Sequence, residues 1–280
     1  MSAETFVNYW SGQEPTPPSP PLGAMPPAVD VAPLAFVGID DQYRLTFDFL
    51  CSTHSAAIVQ TGIEEVRANG TRVLFSILDS KLATVPDVDA FVNGVAEQAV
   101  EWGVDGVDLD YEPPELGTSQ KQTLLAVAQA LRPALGAALG REPLLTAPIY
   151  SAWLAHTGFL GKFAAELDFV TTMDYTPWPG VAGMENLFTE YAGAIGSPEK
   201  IAIGVSCMGP SGTGNLTPID DVTTICGWEP TGGAKAGVML YTFSYDVKTR
   251  TVYHPGAPPT TSGTGLPDGT FTNTIIENLP

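Results

Sequence analysis

Three acidic residues, Asp108, Asp110 and Glu112, stand at alternate positions of the run Asp105-Gly106-Val107-Asp108-Leu109-Asp110-Tyr111-Glu112. Alternate residues of a β-strand share a face, so these three carboxyls point one way while Val107, Leu109 and Tyr111 point the other. At a rise of about 3.3 Å per residue, neighbouring acidic positions lie roughly 6.6 Å apart along the backbone, and their side chains can meet. A buried, unpaired carboxylate is costly. A row of three persists where the groups share protons, accept hydrogen bonds or perform chemistry. Carboxyls whose proton affinities are pushed apart can act as general acid and general base. The preceding Gly103-Val104 and the apolar alternate residues place this run in a strand inside a larger sheet, in preference to a solvated strand face. Pro113-Pro114 stops the strand directly after Glu112, which puts that carboxyl at the strand's C-terminal end.

The elements that must position this ladder alternate along the chain. Strand-like runs are Phe6–Trp10, Val31–Gly38, Arg72–Leu78, Val104–Glu112, Pro143–Tyr150, Asp168–Tyr175, Lys200–Ser206 and Ala236–Phe243. Helical spacing appears over Ser55–Ala68, which ends at Asn69-Gly70, and over Asp87–Trp102, Phe159–Leu167, Met184–Ile195 and Phe271–Asn278. Thr118–Leu139 predicts a longer helix that Pro133 should kink or split. Alternating strands and helices call for a parallel sheet, and eight strands in this length suggest an α/β fold of the (β/α)8 barrel type, one domain over residues 1–280. An open doubly wound sheet stays as the alternative, because no helix is visible after the first strand. Its place is taken by Gln13–Pro27, with Pro15, Pro17, Pro18, Pro20, Pro21, Pro26 and Pro27, read as a long irregular loop crossing the rim. Tyr43–Phe49 alternates with period two and suggests a small extra strand; Tyr253–Gly269 is an irregular stretch rich in Gly, Pro and Thr. In a barrel the reactive end is the C-terminal end of the strands, where Glu112 falls.

The net charge of −19 arises from 12 basic against 31 acidic residues and opposes binding to nucleic acid and to anionic membranes. No apolar run approaches the ~18 residues of a membrane span. Cys51, Cys207 and Cys226 are too few for a disulfide framework, and buried free thiols are the expectation. His54, His156 and His254 are remote from the ladder and lack ligand spacing, so neither a metal nor a cofactor is expected. The N-terminus Met1-Ser2-Ala3-Glu4 shows no basic region followed by an apolar stretch, so no secretory signal is expected within this chain. That pattern fits an intracellular protein or one whose signal has been removed. A monomer is expected.

Asp105–Glu112 matches the DxxDxDxE signature of glycoside hydrolase family 18, which contains chitinases and endo-β-N-acetylglucosaminidases. Leu34–Gly38 (LAFVG), Val73–Leu78 (VLFSIL), Thr171–Thr176 (TTMDYT) and Gly237–Asp246 (GVMLYTFSYD) resemble the family's second-, third-, sixth- and eighth-strand segments in the same order. The resemblance implies Glu112 as the acid that protonates the departing sugar oxygen. It implies no enzyme nucleophile, because the substrate's own 2-acetamido oxygen attacks the anomeric carbon with net retention. Asp110 would orient that acetamide and stabilise the oxazolinium, and Asp108 would share a proton or hydrogen bond with Asp110. Tyr175 would hold the acetamide oxygen, with Met173 and Asp174 beside it in the substrate-binding set. Asp105 would be structural. The implied partner is an N-acetylglucosamine-containing glycan or a chitin oligosaccharide. Tyr9, Trp10, Trp153, Trp178 and Trp228 can offer stacking faces to a sugar, with Tyr9 and Trp178 favoured because they follow strand ends.

Ser76-Ile77-Leu78-Asp79 replaces the family's S-x-G-G pattern, bringing bulkier groups towards the site. Tyr241 stands where chitinases usually carry the tryptophan that floors the sugar subsite, and Thr176 where they carry aspartate. These departures favour cleavage within the chitobiose core of N-glycans over chitin. A non-catalytic, lectin-like relative is the alternative of another class, and the presence of Glu112 with both aspartates speaks against it.

Overall fold

A computed structural model of the chain describes residues 4–13, 19–112, 116–208, 216–231, 233–247 and 265–280. Eight parallel strands close on themselves: β1 (Thr5–Asn8), β2 (Val31–Ile39), β3 (Arg72–Leu78), β4 (Gly106–Asp110), β5 (Leu144–Ile149), β6 (Phe169–Thr172), β7 (Ile201–Ser206) and β8 (Gly237–Tyr241). Each pairs with its successor, and β8 returns to β1 through Thr5↔Gly237 to Asn8↔Leu240. The open-sheet alternative is thereby excluded; this is a (β/α)8 barrel. At the start of β4 a side chain at Gly106 would run into the carbonyl of Leu144, which explains a glycine opening the strand that carries the ladder.

Helices α1 (Ala56–Ala68), α2 (Val88–Trp102), α3 (Thr118–Leu139), α4 (Thr157–Ala165), α5 (Gly180–Ile195), α6 (Ile219–Cys226) and α7 (Thr270–Asn278) follow β2 to β8 in turn. Ser55 and Asp87 cap α1 and α2 by accepting from Ile58 N and Ala90 N, and Gly103 ends α2 in the left-handed conformation. No helix follows β1 among the described residues. There, Leu22–Ala24 forms a single 3-10 turn whose buried Leu22 lies against Gly62 of α1. Pro20 is held by the Trp10 indole, which donates to its carbonyl at 2.8 Å. Residues 14–18 of the proline-rich loop, 253–264 of the late irregular stretch, Pro113-Pro114 and His254 lie outside the described residues.

Three expectations about elements need correction. Thr118–Leu139 is not split but runs as one helix through Pro133. The helix penalty of proline, ~3 kcal/mol, is smaller than the burial gain of Leu124, Val127, Ala128, Leu131 and Leu135 on one continuous stripe, at about 1.5–3 kcal/mol for each large side chain. The sixth strand stops at Thr172, not Tyr175. Met173 N still donates to the Ile149 carbonyl, but the Asp174 carboxyl then turns out to Ser151 N and the Tyr191 hydroxyl. The fourth strand stops at Asp110, leaving Tyr111 and Glu112 beyond its ladder. The extra strand exists as Leu45–Thr46, antiparallel to Gly38–Ile39.

The core has two layers. Val107, Leu109 and Tyr111 belong to the large shell between strands and helices, while Val7, Tyr9, Val31, Ala35, Leu74, Phe169, Tyr175, Ala202 and Met239 form a second cluster. The alternation of β4 therefore sends its apolar residues outward and its aspartates into the barrel. Asp105, just before β4, is buried and anchors the opposite end. It accepts from Arg67 Nε at 3.0 Å and from Val73 N at 2.9 Å, and pairs with Arg141 at 2.7 Å. Cys51 and Cys226 are free thiols, and the Cys207 thiol donates to the Thr242 carbonyl at 3.2 Å. No helix among the described residues is long and apolar enough to cross a membrane.

Candidate active site

Asp108 is wholly buried and surrounded by hydroxyls. Tyr9 Oη and Ser76 Oγ each donate to its Oδ2 at 2.7 Å, and Thr146 Oγ1 donates to its Oδ1 at 2.6 Å. Register explains two of them, since Ser76 and Thr146 are the partners of Asp108 on β3 and β5. Side chains of paired residues on neighbouring strands point the same way, here into the barrel. Burial raises the Asp108 carboxyl above its ordinary range, and the three hydroxyls oppose that rise.

Asp110 comes next towards the mouth and is also buried. Burial first, then the negative charges of Glu112 and Asp108, lift its carboxyl well above the usual range. Its side-chain hydrogen bond is with Glu112, and its Oδ1 has no partner. Glu112 is exposed as a residue, yet its carboxyl is shielded enough to be raised by burial, with the Asp110 hydrogen bond opposing. Asp108 thus has three hydroxyl donors, Asp110 has Glu112 beside it, and Asp108 and Asp110 act on each other through charge. Two close carboxyls cannot both ionise cheaply, so each holds its proton more tightly than it would alone.

Both carboxyls open onto a cavity of about 230 Å³ lined also by Tyr9, Phe36, Leu78, Pro148, Met173, Tyr175, Met239 and Tyr241. Tyr241 organises its aromatic wall. Its ring lies parallel to Tyr175 at 6.3 Å (10°), near-parallel to Phe36 at 6.3 Å (26°), and edge-on to Tyr9 at 5.7 Å (64°). Burial and the carboxyl charges hold the Tyr9 and Tyr175 hydroxyls well above their ordinary proton affinity, so both remain donors. An apolar wall with two carboxyls at one side suits a ring with one apolar face and one reactive bond.

The structure thus gathers Asp110, Glu112, Tyr9, Met173, Tyr175 and Tyr241 around one cavity, with Asp108 beneath. Asp174 is not brought there. Ser151 N donates to its Oδ1 at 2.8 Å and Tyr191 Oη to its Oδ2 at 2.5 Å, so its carboxyl fastens β6 to the outer elements. Trp178 is partly buried and donates its indole N–H to Asp221 at 2.8 Å, outside the cavity lining. Trp10, stacked with His54, and Trp153, packed on Phe159 and Phe163, are core residues, and Trp228 packs edge-on against Phe188. Sequence reasoning missed Thr146, Phe36, Pro148, Met239 and Tyr150, whose hydroxyl donates to the Glu112 carbonyl at 3.1 Å. A signal was present for Thr146, the lone hydroxyl in the apolar run Leu144–Ile149. Among the described residues no cluster of three His, Cys, Asp or Glu is placed to hold a metal ion.

With this geometry in view, the family profile described as Glycosyl hydrolases family 18 matches residues 5–258. The chain belongs to that family. It is a glycoside hydrolase. Among solved structures, an endo-β-N-acetylglucosaminidase from Cordyceps militaris superposes with a TM-score of 0.68 at 20% identity, covering 100% of this chain and 92% of that one. A chitinase from Bacteroides thetaiotaomicron gives 0.65 at 13% identity over 86% and 90% of the two chains. A chitinase from Cycas revoluta, solved in complex with (GlcNAc)3, gives 0.58 at 18% over 72% and 68%. At these identities the likeness speaks for the barrel. No curated protein sequence matches the chain.

Proposed function

We propose that this family 18 member is one catalytic barrel that hydrolyses β-1,4 links between N-acetylglucosamine units from within the glycan, with retention, and that its substrate is the chitobiose core of N-glycans. The observation that carries this reading is that Asp110 and Glu112 of the family signature open together onto a cavity with no other carboxylate among its lining residues. Retention through an enzyme nucleophile needs two carboxyls about 5–5.5 Å apart across the scissile bond. Asp110 and Glu112 lie beside each other at one cavity, and the family signature that they complete implies that the substrate's own acetamide, not an enzyme carboxylate, is the nucleophile.

In this scheme Glu112, at the exposed end, gives its proton to the departing sugar oxygen as the acetamide oxygen attacks the anomeric carbon. The C–O bond to the leaving sugar breaks and an oxazolinium forms. Asp110, ionised once Glu112 has the proton, accepts from the acetamide N–H and balances the positive charge. Water then adds to the anomeric carbon, its proton passing to Glu112, and the acetamide oxygen departs. The second displacement restores the starting configuration.

For the substrate, Leu78 and Phe36 wall the cavity on the β2–β3 side, and the space of about 230 Å³ suits a single sugar ring better than a long run of them. Tyr241 gives a smaller floor than an indole. The test is parallel incubation with an N-glycoprotein and with chitin oligomers, read by mass spectrometry. Protein that retains one N-acetylglucosamine per site supports the reading; cleavage of chitin oligomers alone would make this a chitinase.

A further inference from the structure

Thr146 has no part in the chemistry described so far, yet it makes one of the shortest side-chain contacts in the barrel, 2.6 Å from its Oγ1 to Asp108 Oδ1. Strands β3, β4 and β5 place Ser76, Asp108 and Thr146 in one register row, and Tyr9 reaches in from the end of β1. Asp108 is fully enclosed, so water cannot supply a missing donor cheaply. Each hydroxyl brings its own proton, and together they cover both carboxylate oxygens.

We propose that Thr146 is a positioning residue: by occupying Asp108 Oδ1 it favours the charged form of Asp108 and leaves Asp110 directed towards Glu112. Asp110 Oδ1 is buried without a hydrogen-bond partner. If Asp108 Oδ1 lost its donor, Asp110 would be the neighbouring acid able to fill the gap, and turning inward would withdraw its hydrogen bond from Glu112. The titratable groups facing Asp108 are Tyr9 from β1 and Asp110 from its own strand, with Glu112, Tyr175 and Tyr241 beyond Asp110 at the cavity. The β3 and β5 neighbours contribute only neutral hydroxyls, and no cation lines the cavity. The charged form of Asp108 is therefore favoured by hydrogen bonds alone, and removing one of three is a large perturbation.

This inference rests on the proposed reaction for its catalytic consequence but not for its direct readout. The experiment is a pH titration of 13C-labelled aspartate carboxyls by NMR, with the Asp108 resonance assigned by its loss in Asp108→Asn. It compares the native chain, the near-isosteric Thr146→Val and the hydroxyl-retaining Thr146→Ser. Asp108 should titrate about one pH unit higher in Thr146→Val, the size of losing one hydrogen bond to a charged acceptor. Thr146→Ser should return it to the native value. Alongside, kcat at the optimum should fall about tenfold in Thr146→Val with KM changed less than about twofold, its pH profile displaced, and Thr146→Ser should restore both. Should Thr146→Val not fold, Thr146→Ala takes its place with the same expectation. Identical Asp108 titration with and without the hydroxyl, or failure of Thr146→Ser to restore it, overturns the proposal. A native chain inactive on both substrate classes, with the titration shift present, overturns the proposed function and leaves this assignment standing.

Discussion

Leu78 and Asp110 are register partners across β3 and β4, so an isobutyl group stands beside the buried carboxylate at the barrel mouth. Both line the cavity. Leu78→Gly should widen that wall and raise the rate on chitin oligomers relative to an N-glycopeptide by about tenfold, within the 10–200-fold span that small changes in an apolar pocket produce. The comparison is the ratio of kcat/KM for the two substrates. An unchanged ratio would remove Leu78 from any part in substrate choice.

Glu112→Gln keeps the shape of the acid but cannot give up a proton. Turnover should fall by about 10³-fold, as for loss of a general acid, while the thermal midpoint stays within a few degrees because Glu112 is exposed at the rim. Full residual activity would overturn its role as proton donor.

Asp110→Asn should slow hydrolysis by about 10²-fold or more, since the buried anion facing the oxazolinium is lost. Independently, de-N-acetylated chitin oligomers should not be cut. Cleavage of a bond whose reacting sugar lacks the acetamide, seen by mass spectrometry, would argue against substrate assistance.

Asp246 is buried, accepts from Thr272 N at 2.8 Å and Phe271 N at 3.2 Å, and is nonetheless pushed up to about 6, chiefly by burial. A carboxyl that binds its proton more tightly in the folded chain than at 3.8 favours folding below that lower value and loses the advantage as pH rises through about 6. The shift corresponds to about 3 kcal/mol across that window. Burial moves Asp108, Asp110, Glu112 and Asp174 in the same direction. The thermal midpoint should therefore rise when pH is lowered from 7 to 5 at constant ionic strength, and Asp246→Asn should reduce that rise. A falling midpoint over this interval would contradict the burial argument.

Asp105 lies at the other end of β4, beside Arg67 and Arg141 and 4.0 Å from Arg72. Asp105→Ala leaves these guanidiniums facing one another and strips an acceptor from Val73 N. Removal of one partner from a buried ion pair costs about 3–5 kcal/mol. Denaturant unfolding should show that loss, while kcat of the folded fraction at low temperature should stay near native, because the residue is remote from the cavity.

The strands were legible because each is a short apolar run with punctuation at its ends; Arg72–Leu78 agrees residue for residue, and Ser55 and Asp87 stand as caps where their side-chain chemistry puts them. The ladder was legible for a related reason, since side-chain alternation is a local property of the strand. Helix α6 went unread because Ile219–Cys226 is short and its apolar stripe has too few repeats to stand out. Asp174 misled because chain neighbourhood with Tyr175 says nothing about direction once the strand has ended. Trp178 packs against the inner cluster and donates its indole N–H to Asp221 on α6, a partner that its place after a strand end did not reveal.

What the linear chain determined by itself was the kind of object: eight strands alternating with helices, and three acids at alternate positions in and just after one strand. Which acids hold each other was decided by the tertiary structure. Hydroxyls from the end of β1 and from β3 and β5 converge on Asp108 from 99, 32 and 38 residues away, while Asp110 has Glu112 beside it. Periodicity is written in neighbouring residues, whereas the proton affinity of a buried group depends on every donor and charge that closure of the barrel brings to it.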